Sequence, residues 1–243
     1  MKGAAVLVLA GLDPSGGAGL LADAEAIREA GAWPLCVATA LTVQTSRRAR
    51  RWEPVAVSLV LERARALLEE EPVAAIKVGM LGTSEMAQAV RRLITEARLP
   101  AVLDPVLRAS SGAPLFLGAP AELIMPGVVI TPNLDEAQAL LGLPARPEDV
   151  DAMAAAGQLL VAMGARAALV KGGHLAGMAI DVLCDGGLPV PLAGARLPGS
   201  ARGTGCRLAS ALAARLALGD SLRDAAHLAK EQVRRYLLKV TTR

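Results

Sequence analysis

Short aliphatic runs alternate with stretches of helical periodicity along almost the whole chain. The runs are apolar at consecutive positions, which is typical of strands buried on both faces of a parallel sheet. Strands are predicted at Ala4–Ala10, Leu35–Thr42, Ala74–Val78, Pro100–Leu103, Val128–Ile130 and Ala167–Val170. Helices are predicted between and after them, including Leu20–Ala30, Val55–Leu68, Val150–Met163 and Leu222–Leu238. This alternation predicts a three-layer α/β fold, with a mostly parallel central sheet and helices on both faces.

One departure from the alternation is expected near the end of the chain. Ile180–Gly187, followed by Pro189–Leu192, has the pattern of an antiparallel hairpin. We find no internal repeat and no linker composition, so residues 1–243 are predicted to form a single domain.

Composition and charge narrow the possible functions. Hydrophobic residues make up 53% and aromatic residues 2% of the chain, so the core is built from small aliphatic side chains. A net charge of +3 is too weak to favour nucleic acid. The one basic cluster, Arg47–Arg51, is interpreted either as a solvated face or as a flap over substrate phosphate. No apolar run is long enough to cross a membrane. The three cysteines are far apart and lack CxxC spacing, which argues against a disulfide framework or a zinc site and favours a reducing cytoplasm.

The segment Gly203-Thr204-Gly205-Cys206 directly precedes a predicted amphipathic helix, Arg207–Ala217. A glycine-rich turn that opens a helix leaves free backbone N–H groups, and the helix dipole adds positive charge at the same point. Such a turn can bind an anion, and the same field favours a thiolate, so the pKa of Cys206 is predicted to be lowered. A plain helix cap with a small buried Cys is the alternative, since glycine is common at helix starts.

A second glycine-rich loop, residues 11–19, follows the first strand. It is not a P-loop, because Gly17 stands where that motif needs Lys and Asp13 would repel phosphate. We interpret the loop instead as a segment whose backbone approaches a neutral ligand closely. Gln44 ends the second strand, where ligands bind in open α/β sheets, and its amide matches the edge of a heteroaromatic base. A solvated turn residue is the alternative for Gln44.

Polar side chains also follow the later strands. Asp104, Asn133 and Glu136 carry hard oxygen atoms that suit Mg²⁺ held partly through water and phosphate, although capping or turn formation explains each one singly. Lys171 leaves a buried strand beside two glycines and can reach a polyphosphate as a point charge. His174 is interpreted as a structural hydrogen-bonding residue.

Taken together, these motifs resemble the hydroxymethylpyrimidine/phosphomethylpyrimidine kinases of thiamin biosynthesis, in the ribokinase-like superfamily. The matching pieces keep their order along almost the whole chain: Asp13–Gly19 with Ala22-Asp23, Thr39–Thr42 with Gln44, Lys77–Leu81, Leu103–Val106, Ser111-Gly112, Thr131–Asn133 with Glu136, Lys171–His174, Asp181 with Leu183, and Gly203–Cys206. Each motif alone is weak evidence for this family, whereas the order and spacing of all the motifs together are specific to it.

The resemblance implies a role for each matched residue. Gly11, Gln44 and Met80 are similar to residues that line the pyrimidine pocket, with Asp23 nearby, and the resemblance assigns all four to substrate binding. Lys171, Asn133 and Glu136 are similar to those that contact ATP, and Asp104 and Glu136 to the magnesium positions. Gly203, Thr204 and Gly205 resemble the anion hole, and Cys206 stands where this group has its proposed base and the wider superfamily has Asp.

The resemblance also implies the reaction: ATP- and Mg²⁺-dependent phosphorylation of 4-amino-5-hydroxymethyl-2-methylpyrimidine and then of its monophosphate. Arg202 stands where the family usually has His, and Arg207 where it has Thr or Ser, so phosphate binding by these two cations is a further possibility. A pyridoxal or pyridoxine kinase and a non-catalytic pyrimidine-binding regulator are the alternatives. We expect a small-molecule substrate and a homodimer, with no nucleic acid or membrane partner.

Overall fold

A computed structural model describes residues 3–45, 47–109, 111–173, 175, 177–197 and 201–241. Its strands are β1 (Ala5–Leu12), β2 (Trp33–Gln44), β3 (Ala49–Pro54), β4 (Val73–Val78), β5 (Gly82–Thr83), β6 (Ala101–Leu103), β7 (Phe116–Leu117), β8 (Val129–Ile130), β9 (Ala167–Lys171), β10 (Ala179–Cys184) and β11 (Val190–Gly194). Its helices are α1 (Gly19–Glu29), α2 (Val57–Glu70), α3 (Ser84–Ala97), α4 (Leu134–Leu141), α5 (Val150–Ala162), α6 (Thr204–Ala217) and α7 (Leu222–Thr241), with a 3₁₀ turn at Pro120–Leu123.

Nine strands form one sheet in the order β11-β10-β9-β8-β6-β4-β1-β2-β3. The six from β9 to β2 are mutually parallel, as their continuous apolar runs predict. β10 and β11 form the predicted antiparallel hairpin. β5 and β7 pair separately in a small parallel sheet.

Helices cover both faces of the sheet. On one face α2, α3, α4 and α5 pack on a core that includes Leu7, Ile76 and Leu103. On the other face α1, α6 and α7 pack on Val6 and Val102. The second layer is rich in fully buried alanines from α6 and α7, which let these helices approach the sheet closely. The predicted three-layer α/β architecture is therefore confirmed.

The sequence predicted no strand or helix for the arginine-rich segment. Residues 49–54 form β3, an edge strand that pairs antiparallel with the end of β2. Its Arg50 and Arg51 are exposed, and Arg51 forms an ion pair with Glu53. Trp52 turns inward, and its Nε1 donates to Pro114 O at 3.1 Å. This arrangement fits the solvated-face interpretation of the cluster.

Within the described residues, none of the helices combines the length and apolar composition needed to cross a bilayer.

Candidate active site

A cavity of about 700 Å³ opens at the carboxyl ends of the parallel strands. This is the edge of an open α/β sheet at which ligands bind. The ends of β2 and β9 and the loops that follow β1, β4, β6 and β8 line it, together with the first turn of α6. The predicted site residues that line it are Gly11, Gln44, Met80, Asp104, Asn133, Glu136, Lys171, Gly203, Thr204, Gly205 and Cys206.

The first turn of α6 points into this cavity. Gly203 is the N-cap residue, and no side chain caps the helix. The first helical bond runs from Arg207 N to Gly203 O at 2.9 Å, so the N–H groups of Thr204, Gly205 and Cys206 come before the first intrahelical bond. The structure thus places three backbone donors and the positive end of the helix dipole at the cavity wall.

Glycine is required at position 203 for two separate reasons. Its φ of +72° lies in the left-handed region, which side chains with a Cβ rarely adopt. A Cβ there would also lie 2.2 Å from Gly17 O, so the turn packs directly against the loop after β1. The two glycine-rich segments identified in the sequence are therefore neighbours in space.

Cys206 lies at the predicted place, but its predicted ionisation is wrong. Burial, reinforced by the carboxylates of Asp23 and Asp104, raises the pKa of the Cys206 thiol to about 12. Lys77 and the backbone N–H of Gly19 oppose the rise without cancelling it. The field of the helix terminus, on which the prediction from sequence rested, is outweighed here by desolvation of the thiolate.

Lys171 lies between two acidic side chains at the end of β9. Its Nζ is 2.8 Å from Asp104 Oδ1 and 3.7 Å from Glu136 Oε2. Asn133 and Glu136 form a capping box at the start of α4: Glu136 N donates to Asn133 Oδ1, and Asn133 N donates to Glu136 Oε2, both at 2.8 Å. Asn133 and Glu136 thus cap α4 and line the cavity at the same time.

The ammonium group of Lys171 interacts with the carboxylates of both Asp104 and Glu136. Burial raises the pKa of Glu136 to about 7, an effect that Lys171 opposes and Asp104 reinforces. The ammonium of Lys171 holds the pKa of Asp104 below its usual value despite burial. The paired carboxylates in turn raise the pKa of Lys171. With both carboxylates ionised the cluster has an excess negative charge, which a divalent cation would neutralise.

No group of three or more His, Cys, Asp or Glu side chains that could cage a metal occurs among the described residues. Two hard carboxylates beside a cavity nevertheless fit Mg²⁺, which usually keeps several waters and takes its other ligands from phosphate. His174, interpreted as structural, lies outside the described residues.

Gly11, Met80 and Gln44 share the other half of the cavity. A Cβ on Gly11 would lie 2.8 Å from Met80 Sδ, so glycine at that position lets the Met80 side chain cross the end of β1. A register shift between Ala10 and Gly11 in the β1–β2 pairing accompanies this approach. Gly11, Met80 and Gln44 all line the cavity, so a ligand bound there can contact the Met80 side chain and the Gln44 amide.

Asp23 does not line the cavity, so its predicted direct contact with substrate is wrong. Its side chain is fully buried, its Oδ2 is 2.8 Å from Lys77 Nζ, and its Oδ1 accepts from Ser210 Oγ at 2.8 Å. Lys77 itself is fully buried and reaches the cavity floor. Burial opposes its charge, but the carboxylate of Asp23 keeps the pKa of Lys77 raised.

Sequence reasoning assigned no role to Lys77, although it carried a signal. A Lys in the middle of the apolar run Ala74–Val78 must either disrupt the strand or find a buried partner. The cavity wall that includes Val106, Leu107 and Leu115 was also missed, because these residues lie outside the helices and strands and follow no periodic pattern.

Arg202 and Arg207 do not both face the cavity. Arg207 points into the α1–α6–α7 layer, where its Nη2 is 2.6 Å from Glu25 Oε2 and its guanidinium lies 4.0 Å from the ring centre of Tyr236. A phosphate-binding role for Arg207 is therefore excluded in this structure. Arg202 lines the cavity, and its Nη2 lies 3.2 Å from Asp13 Oδ2.

Comparison with known proteins identifies the family. The family model described as phosphomethylpyrimidine kinase matches residues 13–241. The chain belongs to this kinase family. The hydroxymethylpyrimidine/phosphomethylpyrimidine kinase of Streptomyces coelicolor is 40% identical over 235 residues, which cover 94% of this chain and 86% of that protein.

Solved structures agree with the family and its fold. Phosphomethylpyrimidine kinase from Clostridium difficile matches with a TM-score of 0.82 and 29% identity, covering 96% of this chain and 99% of that one. A Staphylococcus aureus pyridoxal kinase in complex with AMP-PCP matches with a TM-score of 0.85 and 29% identity, covering 95% of this chain and 86% of that one. Kinases for two different flat rings therefore share this scaffold.

Proposed function

We propose that this protein uses ATP and Mg²⁺ to phosphorylate 4-amino-5-hydroxymethyl-2-methylpyrimidine and then its monophosphate, which yields the diphosphate for thiamin biosynthesis. The observation that carries the proposal is the first turn of α6, whose free N–H groups face a cavity that Gly11, Met80, Gln44 and Lys171 also line. Family membership and the names of the relatives support the same activity.

In this proposal the pyrimidine ring binds in the part of the cavity lined by Gly11, Met80 and Gln44. Met80 contributes a polarizable apolar surface, and the amide of Gln44 pairs with polar atoms at the ring edge. The hydroxymethyl group then faces Cys206 and the first turn of α6.

The triphosphate occupies the half of the cavity beside Lys171, Asn133 and Glu136. Lys171 neutralises phosphate charge, and the Asn133 side-chain NH₂ is a donor left free by its capping bond through Oδ1. Asp104 and Glu136 would hold Mg²⁺, which supplies charge neutralisation of the phosphate oxygens when bound.

Phosphoryl transfer is mainly a matter of positioning and charge stabilisation. The N–H groups of Thr204, Gly205 and Cys206 donate to the oxygens of the transferring group, and each such donor is typically worth ~10²–10³ in rate. Cys206 accepts the hydroxymethyl proton. Since its thiol pKa is about 12, the active thiolate is a minor species at neutral pH, and Lys77 is the cation that favours it.

ADP release measured in parallel with the hydroxymethylpyrimidine, its monophosphate and pyridoxal tests the proposal. We expect turnover of both pyrimidines and much slower turnover of pyridoxal. Preferred turnover of pyridoxal would support the second candidate function, a pyridoxal kinase, which the likeness to the Staphylococcus aureus enzyme favours. Binding of a pyrimidine without turnover of any compound would instead indicate a regulator.

The proposal extends to assembly and location. Leu41 and Val43 share one face of β2 beside the edge strand β3 and are 49% and 42% exposed, which supports a homodimer through this end of the sheet. Sedimentation of the native protein and of Leu41→Arg would test this assembly. Cys36, Cys184 and Cys206 are all free thiols, which supports action in the reducing cytoplasm.

A further inference from the structure

Asp13 lies at the centre of a hydrogen-bond cluster at the rim of the cavity. Its Oδ1 accepts from Ser15 N at 2.9 Å and from Ser15 Oγ at 2.7 Å. Its Oδ2 accepts from Gln44 Nε2 at 3.0 Å and from Arg202 Nη2 at 3.2 Å. With four donors on two oxygens and only 4% of its side chain exposed, the carboxylate is fully occupied by the protein itself.

This cluster fixes the orientation of the Gln44 side-chain amide. An ionised carboxylate only accepts hydrogen bonds, so the group that Gln44 turns toward Asp13 must be its NH₂. The Gln44 Oε1 atom and the second hydrogen of Nε2 then remain, and Gln44 lines the cavity. Among the described residues no hydrogen bond to Oε1 is found. The amide therefore offers the cavity an acceptor beside a donor, in one fixed order.

Arg202 holds Asp13 in this arrangement. Besides the bond to Asp13, its Nη1 donates to Ser15 Oγ at 3.2 Å and to Thr45 O at 3.1 Å. One guanidinium thus ties the loop after β1 to the end of β2, from a position directly before the Gly203 turn.

We propose that Asp13, anchored by Arg202, is a specificity-determining residue that sets the orientation of the Gln44 amide and so selects rings that carry an amino group next to a ring nitrogen. This inference rests on the proposed function. A 4-aminopyrimidine donates from its amino group to Oε1 and accepts at its ring nitrogen from Nε2. The 4-oxo analogue presents the reverse order, and pyridoxal has no amino donor next to its ring nitrogen. Asp13 is a positioning residue, since it acts through Gln44.

The test compares the hydroxymethylpyrimidine with its 4-oxo analogue in the wild type and in Asp13→Asn. An Asn amide can donate to Gln44 Oε1, which permits the reversed orientation. We expect the wild type to prefer the amino compound strongly, and the ratio of the two kcat/KM values to fall at least ~10-fold in Asp13→Asn, mainly through KM for the amino compound. Because both substrates are measured on one preparation, the ratio does not depend on how much of the variant folds.

Ser15→Ala is the matched control, because it removes a partner of the other carboxylate oxygen and leaves Gln44 in place. Its ratio should stay within ~2-fold of the wild type. An unchanged ratio in Asp13→Asn, or a wild type without preference for the amino compound, would overturn the inference. Dissociation constants of both compounds are measured as well. Selective binding of the amino compound by the wild type, lost in Asp13→Asn, supports the inference even if neither compound is turned over, an outcome that refutes only the proposed kinase function.

Discussion

Lys77 and Asp23 form an ion pair, 2.8 Å from Nζ to Oδ2, in which both side chains are fully buried. The pair joins β4 to α1, and the bond from Ser210 to Asp23 extends it to α6. It lies directly beneath the cavity and contributes to the electrostatic field at Cys206. Through its bond from Ser210, Asp23 also links α1 to α6, the two helices that follow the glycine-rich segments.

Removing one partner of this pair should be far more costly than removing both. Lys77→Met leaves an uncompensated buried carboxylate, so we expect the free energy of unfolding to fall by about 3–5 kcal/mol. The double variant Lys77→Met/Asp23→Leu should recover much of that loss. Urea unfolding of the two single variants and the double variant measures this as a double-mutant cycle.

The exposed ion pair between Arg65 and Glu96, 3.3 Å long with side chains 51% and 58% exposed, provides the control. Arg65→Met should change the free energy of unfolding by less than about 1 kcal/mol. Additive effects of the two buried substitutions would show that Lys77 and Asp23 are not coupled.

Cys206→Ala should lower kcat by ~10²–10⁴ while the KM for ATP changes little, because in the proposed complex the thiol accepts the proton of the hydroxymethyl group and does not bind the nucleotide. Cys206→Asp should retain more activity, since a carboxylate is ionised at neutral pH. Steady-state kinetics with the hydroxymethylpyrimidine compares the three proteins. A fully active Cys206→Ala variant would remove Cys206 from the proton-accepting role.

Alkylation of Cys206 by iodoacetamide should show the raised thiol pKa directly. The thiolate is the reactive form, and a pKa of about 12 leaves about one thiolate per ten thousand thiols at pH 8. The rate should therefore rise ~10-fold per pH unit from pH 7 to 10 without levelling off. Mass spectrometry of the Cys206 peptide gives the rate at each pH.

A short unstructured cysteine peptide is the reference for this titration, because its rate levels off above its ordinary pKa of ~8.5. Restricted access to the cavity lowers the absolute rate at Cys206 without altering its dependence on pH. A plateau below pH 9 for Cys206 would mean that the helix field overcomes burial after all.

Gly203→Ala should abolish most activity and destabilise the fold. The new Cβ would meet Gly17 O at 2.2 Å, in addition to the strain of φ +72°. Gly219→Ala is the matched control: its φ is +92°, and no atom lies within 4 Å of the added Cβ. The control should lose about 1–2 kcal/mol of stability and keep its activity. Equal loss of activity in both variants, measured with folded protein, would argue against close packing of the two glycine segments at the site.

The parallel part of the sheet was predictable because the apolar runs that form it are continuous and short. The edge of the sheet at which the site lies could also be predicted, because Gln44, Asp104 and Lys171 each stand at or just after the end of a parallel strand. Asp23 was misplaced because its motif lies beside the site in sequence, whereas the first turns of α1 direct the side chain beneath the cavity floor.

The sequence by itself determined the α/β alternation, the family and the set of residues at the strand ends, because these depend on local periodicity and motif spacing. Only the tertiary structure decided the protonation of Cys206, the burial of Asp23 with Lys77, and the different directions of Arg202 and Arg207. Desolvation and side-chain pairing arise between segments that are distant in the chain, so no local pattern encodes them. The turn at Gly203–Cys206 illustrates both kinds of property. Its glycines indicated an anion site from the sequence alone, whereas the charge state of the Cys206 thiol depends on the residues that pack around it.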